Sequence, residues 1–186
     1  MSNTIQIKDK SFELYIDANQ LAYTVNNLAN RLQMEYPLYQ EHPPLILVVL
    51  NGSYIVASDI TKQLTGDWDI KFIKVSSYQG TESTGTVTNV IGIDADQLVD
   101  RHVFIIEDIV DTGHTVRHLL DSGIFDETEY TALVTLFYKP DSDVENASTL
   151  FDAFIVGMEI PNDFIVGYGL DYDGLGRNLP AVYKLV

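Results

Sequence analysis

Cysteine is absent from the 186 residues. That excludes disulfides, a thiolate nucleophile and a cysteine zinc site. No apolar run approaches the ~20 residues needed to cross a bilayer. The opening stretch MSNTIQIKDK has no apolar segment after its charges, so no signal peptide is expected and the cytoplasm is the default location. Cations are scarce. Eleven Lys and Arg stand against 27 Asp and Glu, giving a net charge of −16. Binding to nucleic acid draws its energy from Lys and Arg on phosphates, so it is disfavoured, as is adsorption to anionic membranes. Most of the acids are expected to be a solvating surface. Gly-x-Gly-x-x-Gly, Gly-Lys-Ser/Thr, Gly-x-Ser-x-Gly and His-Glu-x-x-His do not occur. Dinucleotide, P-loop, α/β-hydrolase and zincin readings fall with them.

What remains is an ordinary globular composition, 46% hydrophobic and 20% charged, long enough for one domain with a sizeable core. No internal repeat, low-complexity tract or linker divides it. One stretch organises the rest: Val103 to Val116, VFIIEDIVDTGHTV. Val103 to Ile106 fits a strand buried on both faces. Glu107, Asp108 and Asp111 follow just beyond it, where α/β proteins bind ligands. Thr112, Gly113, His114 and Thr115 can open a helix over about 113–121, whose hydroxyls and free N–H groups would cradle an anion. The local chemistry is a phosphate seat beside carboxylates able to hold a divalent cation or a ribose. Such acids also occur as plain helix N-terminal residues, but two adjacent acids directly after VFII exceed what capping requires.

Along the chain, 12–16 reads as a short strand and Asp17 as an N-cap. Leu21, Val25, Leu28 and Leu32 recur at helical steps over 18–34. A proline-punctuated loop spans 36–44. Leu45 to Leu50 is a second buried strand, broken by Asn51-Gly52-Ser53 before a helix over 54–64. A strand over 69–75 leads to SSYQGTESTGT at 76–86, either a plain loop or a lid, with a returning strand to Ile91. Further strands are expected over 130–137, 151–156, 164–168 and 181–186. Strands alternating with helices predict an α/β fold: a mostly parallel sheet with helices on both faces. The late strands predict an antiparallel addition at one edge. Taken alone, Asn51-Gly52 is also a simple turn, Lys139 a surface residue and Phe164 a core residue. Arg177 could simply pair with Asp171 or Asp173.

Together these pieces resemble the type I phosphoribosyltransferase family, over about Leu45 to Tyr183. VFIIEDIVDTGHTV resembles its motif for 5-phosphoribosyl 1-diphosphate (PRPP). LNGS at 50–53, the SSY at Ser76 and EIPNDFIVGYGLDYDGLGRNLP at 159–180 resemble its purine branch, which acts on hypoxanthine and guanine. The resemblance implies a single domain over 1–186. It would carry a small hood, built from the N-terminal segment and residues about 158–186, and a mobile β-hairpin lid. It implies Mg²⁺-dependent transfer of phosphoribose to N9 of the base, giving IMP or GMP, in a homodimer or homotetramer. Thr112 to Thr115 would hold the 5′-phosphate. Glu107 and Asp108 would take the ribose hydroxyls and Mg²⁺, and Asp111 a proton from N7. Asn51-Gly52 would face the diphosphate, with Arg177 on it and Asp171 on a second Mg²⁺. Lys139 would donate to the 6-oxo group, Phe164 would stack on the base, and the Ile165 backbone would read its edge. Ser77-Tyr78 would belong to the lid. Asn51 and His114 stand where relatives often carry Lys, and Asp163 where some do. A xanthine- or pyrimidine-preferring relative, or a non-catalytic PRPP-sensing RNA-binding regulator, would share these motifs.

Overall fold

The computed structural model describes residues 4–35, 42–78 and 87–186, and for 76–78 and 87–90 the backbone alone. The described strands are β1 (Thr4–Ile7), β2 (Lys10–Ile16), β3 (Leu45–Val49), β4 (Asp69–Tyr78), β5 (Val87–Ile91), β6 (His102–Val110), β7 (Tyr130–Tyr138), β8 (Ala153–Glu159), β9 (Ile165–Val166) and β10 (Val182–Leu185). The α-helices are α1 (Ala18–Met34), α2 (Tyr54–Thr61) and α3 (His114–Asp121).

Six strands form the main sheet in the order β5-β4-β3-β6-β7-β8. Five are parallel, and β5 pairs antiparallel with β4. The central strands are apolar on both faces because both are covered. On one face Ile46, Val48, Phe104 and Ile106 pack with Leu21, Val25, Leu28 and Leu32 of α1 and Val56 and Ile60 of α2. On the other, Leu47, Val103 and Ile105 pack with Val116 and Leu119 of α3. Helix α1 has the predicted bounds because both of its signals are local. Asp17 accepts from the Asn19 and Gln20 N–H groups, and the Gln20 side chain accepts from the Asp17 N–H, a reciprocal cap.

The late strands depart from expectation. β8 is not an antiparallel addition but extends the parallel sheet. The antiparallel edge is β5, at the opposite end. β9 and β10 instead join β1 and β2 in a separate antiparallel sheet, ordered β1-β2-β10-β9. β1 is half-polar and carries no sequence signal of its own. β2 pairs with it and with β10, so the two ends of the chain share a sheet. α2 ends at Thr61 and not at 64. β6 runs to Val110, which places Glu107 and Asp108 within the strand and not beyond it. The lid expectation falls partly on residues 79–86, outside the described residues. At its base, Ser77 and Tyr78 pair with Thr88 and Val87 in the β4–β5 ladder. Among the described residues no helix is long and apolar enough to cross a membrane.

Parallel strands end on the same side. The turns after β3, β6 and β7 therefore gather there, and they carry Asn51-Gly52, Asp111 to Gly113 and Lys139.

Candidate active site

The end of β6 and the start of α3 form one wall of a cleft of about 270 Å³, lined by Glu107 to Val116. A larger cavity of about 560 Å³ lies between α1, α2 and residues 168–180, and contains none of the motif acids.

Glu107 is 7% exposed. Its carboxylate accepts from the hydroxyl of fully buried Ser53, 3.2 Å away, and the same hydroxyl accepts from the Asp108 N–H at 3.1 Å. Ser53 thus clamps the β3–α2 turn to β6. Burial pushes the Glu107 carboxyl well above the usual carboxylate range, and the Asp108 charge adds to this against the Ser53 hydrogen bond. Burial also raises Asp108, to about 6, against backbone N–H groups and the Arg177 charge, with Asp171 raising it further. Two neighbouring acids held against water make a site short of positive charge.

Gly52 lies between two segments. A Cβ there would collide with the Asp108 carboxylate, and a Cβ on Gly169 would collide with the Gly52 carbonyl. Residues 167–177 are tied down by Arg177. Its Nη1 donates to the Gly169 carbonyl at 2.7 Å, and its Nη2 pairs with Asp171 at 2.6 Å. The other Asp171 oxygen accepts from the Gly174 N–H. The Arg177–Asp171 pair is therefore formed, and its charges reach Asp108.

Lys139 is buried, and its Nζ lies 2.6 Å from an Asp111 carboxylate oxygen. The two are 28 residues apart, but β6 and β7 are in register at Val110 and Tyr138, and the Lys139 N–H donates to the Val110 carbonyl. In the turn, the Thr112 Oγ1 lies 3.1 Å from His114 Nδ1, and Gly113 adopts φ +82. Thr115 sits in the first turn of α3. Asn51 is exposed in the turn after β3.

Phe164 and Ile165 stand on the small sheet. Phe164 is 45% exposed and its ring packs against Phe12 and Tyr172, with Lys10 Nζ over both Phe164 and Tyr172. Ile165 is buried and pairs with Lys184. No hydrogen bond or ring contact among the described residues joins them to the Asp111–Lys139 pair.

A model of the phosphoribosyl transferase domain matches residues 14–173. The chain belongs to the phosphoribosyltransferase family. It is similar to a hypoxanthine-guanine phosphoribosyltransferase of Aquifex aeolicus, 31% identical over 97% of this chain and 98% of that one. It is 39% identical to one of Streptococcus pyogenes over 77% of this chain and 78% of that one. Among solved structures, a hypoxanthine phosphoribosyltransferase of Staphylococcus aureus aligns with a TM-score of 0.75 at 33% identity, covering 94% of this chain and 91% of that one. A Trypanosoma cruzi hypoxanthine phosphoribosyltransferase mutant complexed with IMP aligns with a TM-score of 0.79 at 25% identity, covering 98% of this chain and 93% of that one.

Sequence reasoning assigned this phosphoribosyltransferase no role for Ser53, Asp143 or Glu145. Ser53 had a signal, a small hydroxyl residue directly after Asn-Gly. The two acids lie in the β7–β8 connection and come near Gly113 only through the fold.

A carboxyl raised in the folded state has no effect on folding below its ordinary range, where it is protonated in both states. It opposes folding as pH rises and the unfolded chain releases the proton. Glu107→Gln in metal-free phosphoribosyltransferase is therefore expected to raise Tm at pH 8, with the gain fading toward about pH 4. Thermal melts across that range check it. An equal gain at every pH would show that burial of the charge is not the cause.

Proposed function

We propose that the chain transfers the phosphoribosyl group of PRPP to N9 of hypoxanthine or guanine, releasing diphosphate and forming IMP or GMP. The observation that carries this is the Asp111–Lys139 pair at 2.6 Å, set at the mouth of the phosphate turn. A 6-oxopurine presents O6 and N7 side by side on one edge. A cation beside a carboxylate matches that edge: Lys139 donates to O6 while Asp111 takes the N7 proton as N9 attacks C1 of the ribose.

The remaining roles follow the turns. The N–H groups at Thr112 to Thr115 and the Thr112 and Thr115 hydroxyls hold the 5′-phosphate at the start of α3. Glu107 and Asp108 face the ribose hydroxyls. The Asn51-Gly52 backbone and Arg177 face the diphosphate. Phe164 stacks on the base and the Ile165 backbone reads its edge, with the small sheet as a hood. Ser77 and Tyr78 belong to a lid that excludes water, whose attack would waste the activated ribose.

Mg²⁺ belongs to this reading. The donors are carboxylates, which suit a hard cation, and Glu107 is buried and Asp108 half-buried where added positive charge would be favourable. Among the described residues no group of three acids or histidines could hold a metal unaided. That suits an ion bound by one or two carboxylates, water and substrate oxygens. Glu107 and Asp108 would hold one ion. Asp171 would hold a second while sharing its oxygens with Arg177 and Gly174. When bound, the metal neutralises the leaving diphosphate. Assembly as a homodimer or homotetramer is part of the same proposal.

The test is nucleotide formation from PRPP with hypoxanthine, guanine, xanthine, adenine and uracil, for the wild type and Lys139→Ala. Hypoxanthine and guanine are expected to lead. Lys139→Ala is expected to raise their KM about ten- to hundredfold, the loss of a charge-assisted hydrogen bond, and the PRPP KM far less. Equal loss on both substrates would remove Lys139 from the base site.

A further inference from the structure

The phosphate turn is backed by a chain of three side chains. Glu145 Oε1 lies 3.3 Å from His114 Nε2, and His114 Nδ1 lies 3.1 Å from Thr112 Oγ1. Glu145 comes from the connection between β7 and β8. It can approach because residue 113 is glycine: a Cβ there would meet Asp143 Oδ1 at 2.6 Å and the Glu145 Cβ at 2.9 Å. The connection is itself anchored. Asp143 accepts from the Tyr138 hydroxyl at 3.1 Å and from the Ala147 N–H at 2.8 Å.

The chemistry of the chain is directional. An ionised carboxylate only accepts, so the tautomer matched to Glu145 at 3.3 Å is the one with its proton on Nε2. The state of Nδ1 then sets the Thr112 hydroxyl. In a neutral ring Nδ1 is a lone pair, which takes the hydroxyl proton and leaves only lone pairs for an incoming anion. In an imidazolium Nδ1–H donates to Oγ1, and the hydroxyl proton is free for a phosphate oxygen. Histidine passes between these states between about pH 5 and 8. A lysine at this position would hold a fixed charge across that range.

We propose that Glu145 is a positioning residue of the phosphate seat, acting through His114 on the Thr112 hydroxyl, so that binding a 5′-phosphate recruits the imidazolium. This rests on the reading that Thr112 faces the 5′-phosphate of the substrate. The groups around His114 are few. Glu145 faces it from the β7–β8 connection, and His118 stacks on it from one turn along α3 at 6.3 Å. Asp143 lies behind Gly113, and Asp111 is paired with Lys139 at the other end of the turn. Arg117, between the two imidazoles in sequence, is paired with Asp121. Among the described residues Glu145 is thus the acid paired with His114.

Calorimetric titration of the full chain tests this, with IMP, inosine and ribose 5-phosphate at pH 6 and pH 8. The proteins are the wild type, His114→Gln and Glu145→Gln. A phosphate monoester gains its second charge near pH 6, which by itself favours binding at the higher pH. The quantity read is therefore the affinity advantage of the wild type over His114→Gln at each pH. For IMP that advantage is expected to be about tenfold larger at pH 6 than at pH 8, the scale of one hydrogen bond to a charged group. Glu145→Gln is expected to lose most of it, and inosine, which lacks the phosphate, to show none. An advantage equal at both pH values, a Glu145→Gln protein matching the wild type, or an inosine response like that of IMP would each overturn the proposal. If the chain neither binds IMP nor forms it, the purine reading fails. Ribose 5-phosphate then still decides the network: the same pH-dependent advantage supports it, and its absence overturns it.

Discussion

Asp111→Asn is expected to lower kcat at neutral pH by about two to four orders of magnitude, the usual contribution of a positioned general base. The substitution keeps the shape and an acceptor oxygen but removes the site proposed to take the proton. Asp111 suits the role by placement. It is 42% exposed on its side chain, open to the cleft, while Lys139 beside it is 6% exposed. The variant has a second effect. Lys139 loses its anion, and a buried cation without a partner is unfavourable. A lower Tm and a higher KM for the base are therefore expected as well. The two effects separate by measurement. Proton transfer is read from kcat with both substrates saturating, and the orphaned cation from melting and KM. If Asp111→Asn kept most of the wild-type kcat, another group would have to be the base.

Gly52→Ala is expected to damage the site almost as much, through packing alone. The added methyl would occupy the place of the Asp108 carboxylate. Either Asp108 swings away or the β3–α2 turn retreats, and the retreat is blocked by Gly169 against the Gly52 carbonyl. Overpacking of this kind costs about 1–3 kcal/mol. For a chain of this length that is a fall in Tm of roughly 2–12 °C. Asp108 is proposed to face the ribose, so the loss in kcat/KM should fall on PRPP more than on the base. Thermal melting with steady-state kinetics in both substrates checks this. An alanine variant with wild-type KM for PRPP would show that Asp108 can move without consequence.

The elements were legible where a local signal and a tertiary role coincide. Helix α1 has its predicted ends because the Asp17 cap and the Leu21-to-Leu32 stripe both lie within one helix. β3, β6 and β7 announced themselves as short β-branched runs because both faces of a parallel sheet are covered. β1 gave no such signal, since it is half-exposed in a small sheet. The last strands were recognised as strands but sent to the wrong partner. Periodicity reports which face is buried, not which strand lies beside it.

The site divides the same way. VFIIEDIVDTGHTV by itself determined a buried strand, two adjacent acids able to hold a cation or a ribose, and a turn able to open onto an anion. That information is contiguous, and its chemistry follows from residue type and spacing. Only the tertiary structure decided the pairings. It set Lys139 on Asp111 through the β6–β7 register, Ser53 between Glu107 and the Asp108 N–H, Gly169 on Gly52, and Glu145 on His114. Each joins residues far apart in the chain. Such contacts depend on strand order, register and the room a glycine leaves, and no local pattern encodes those.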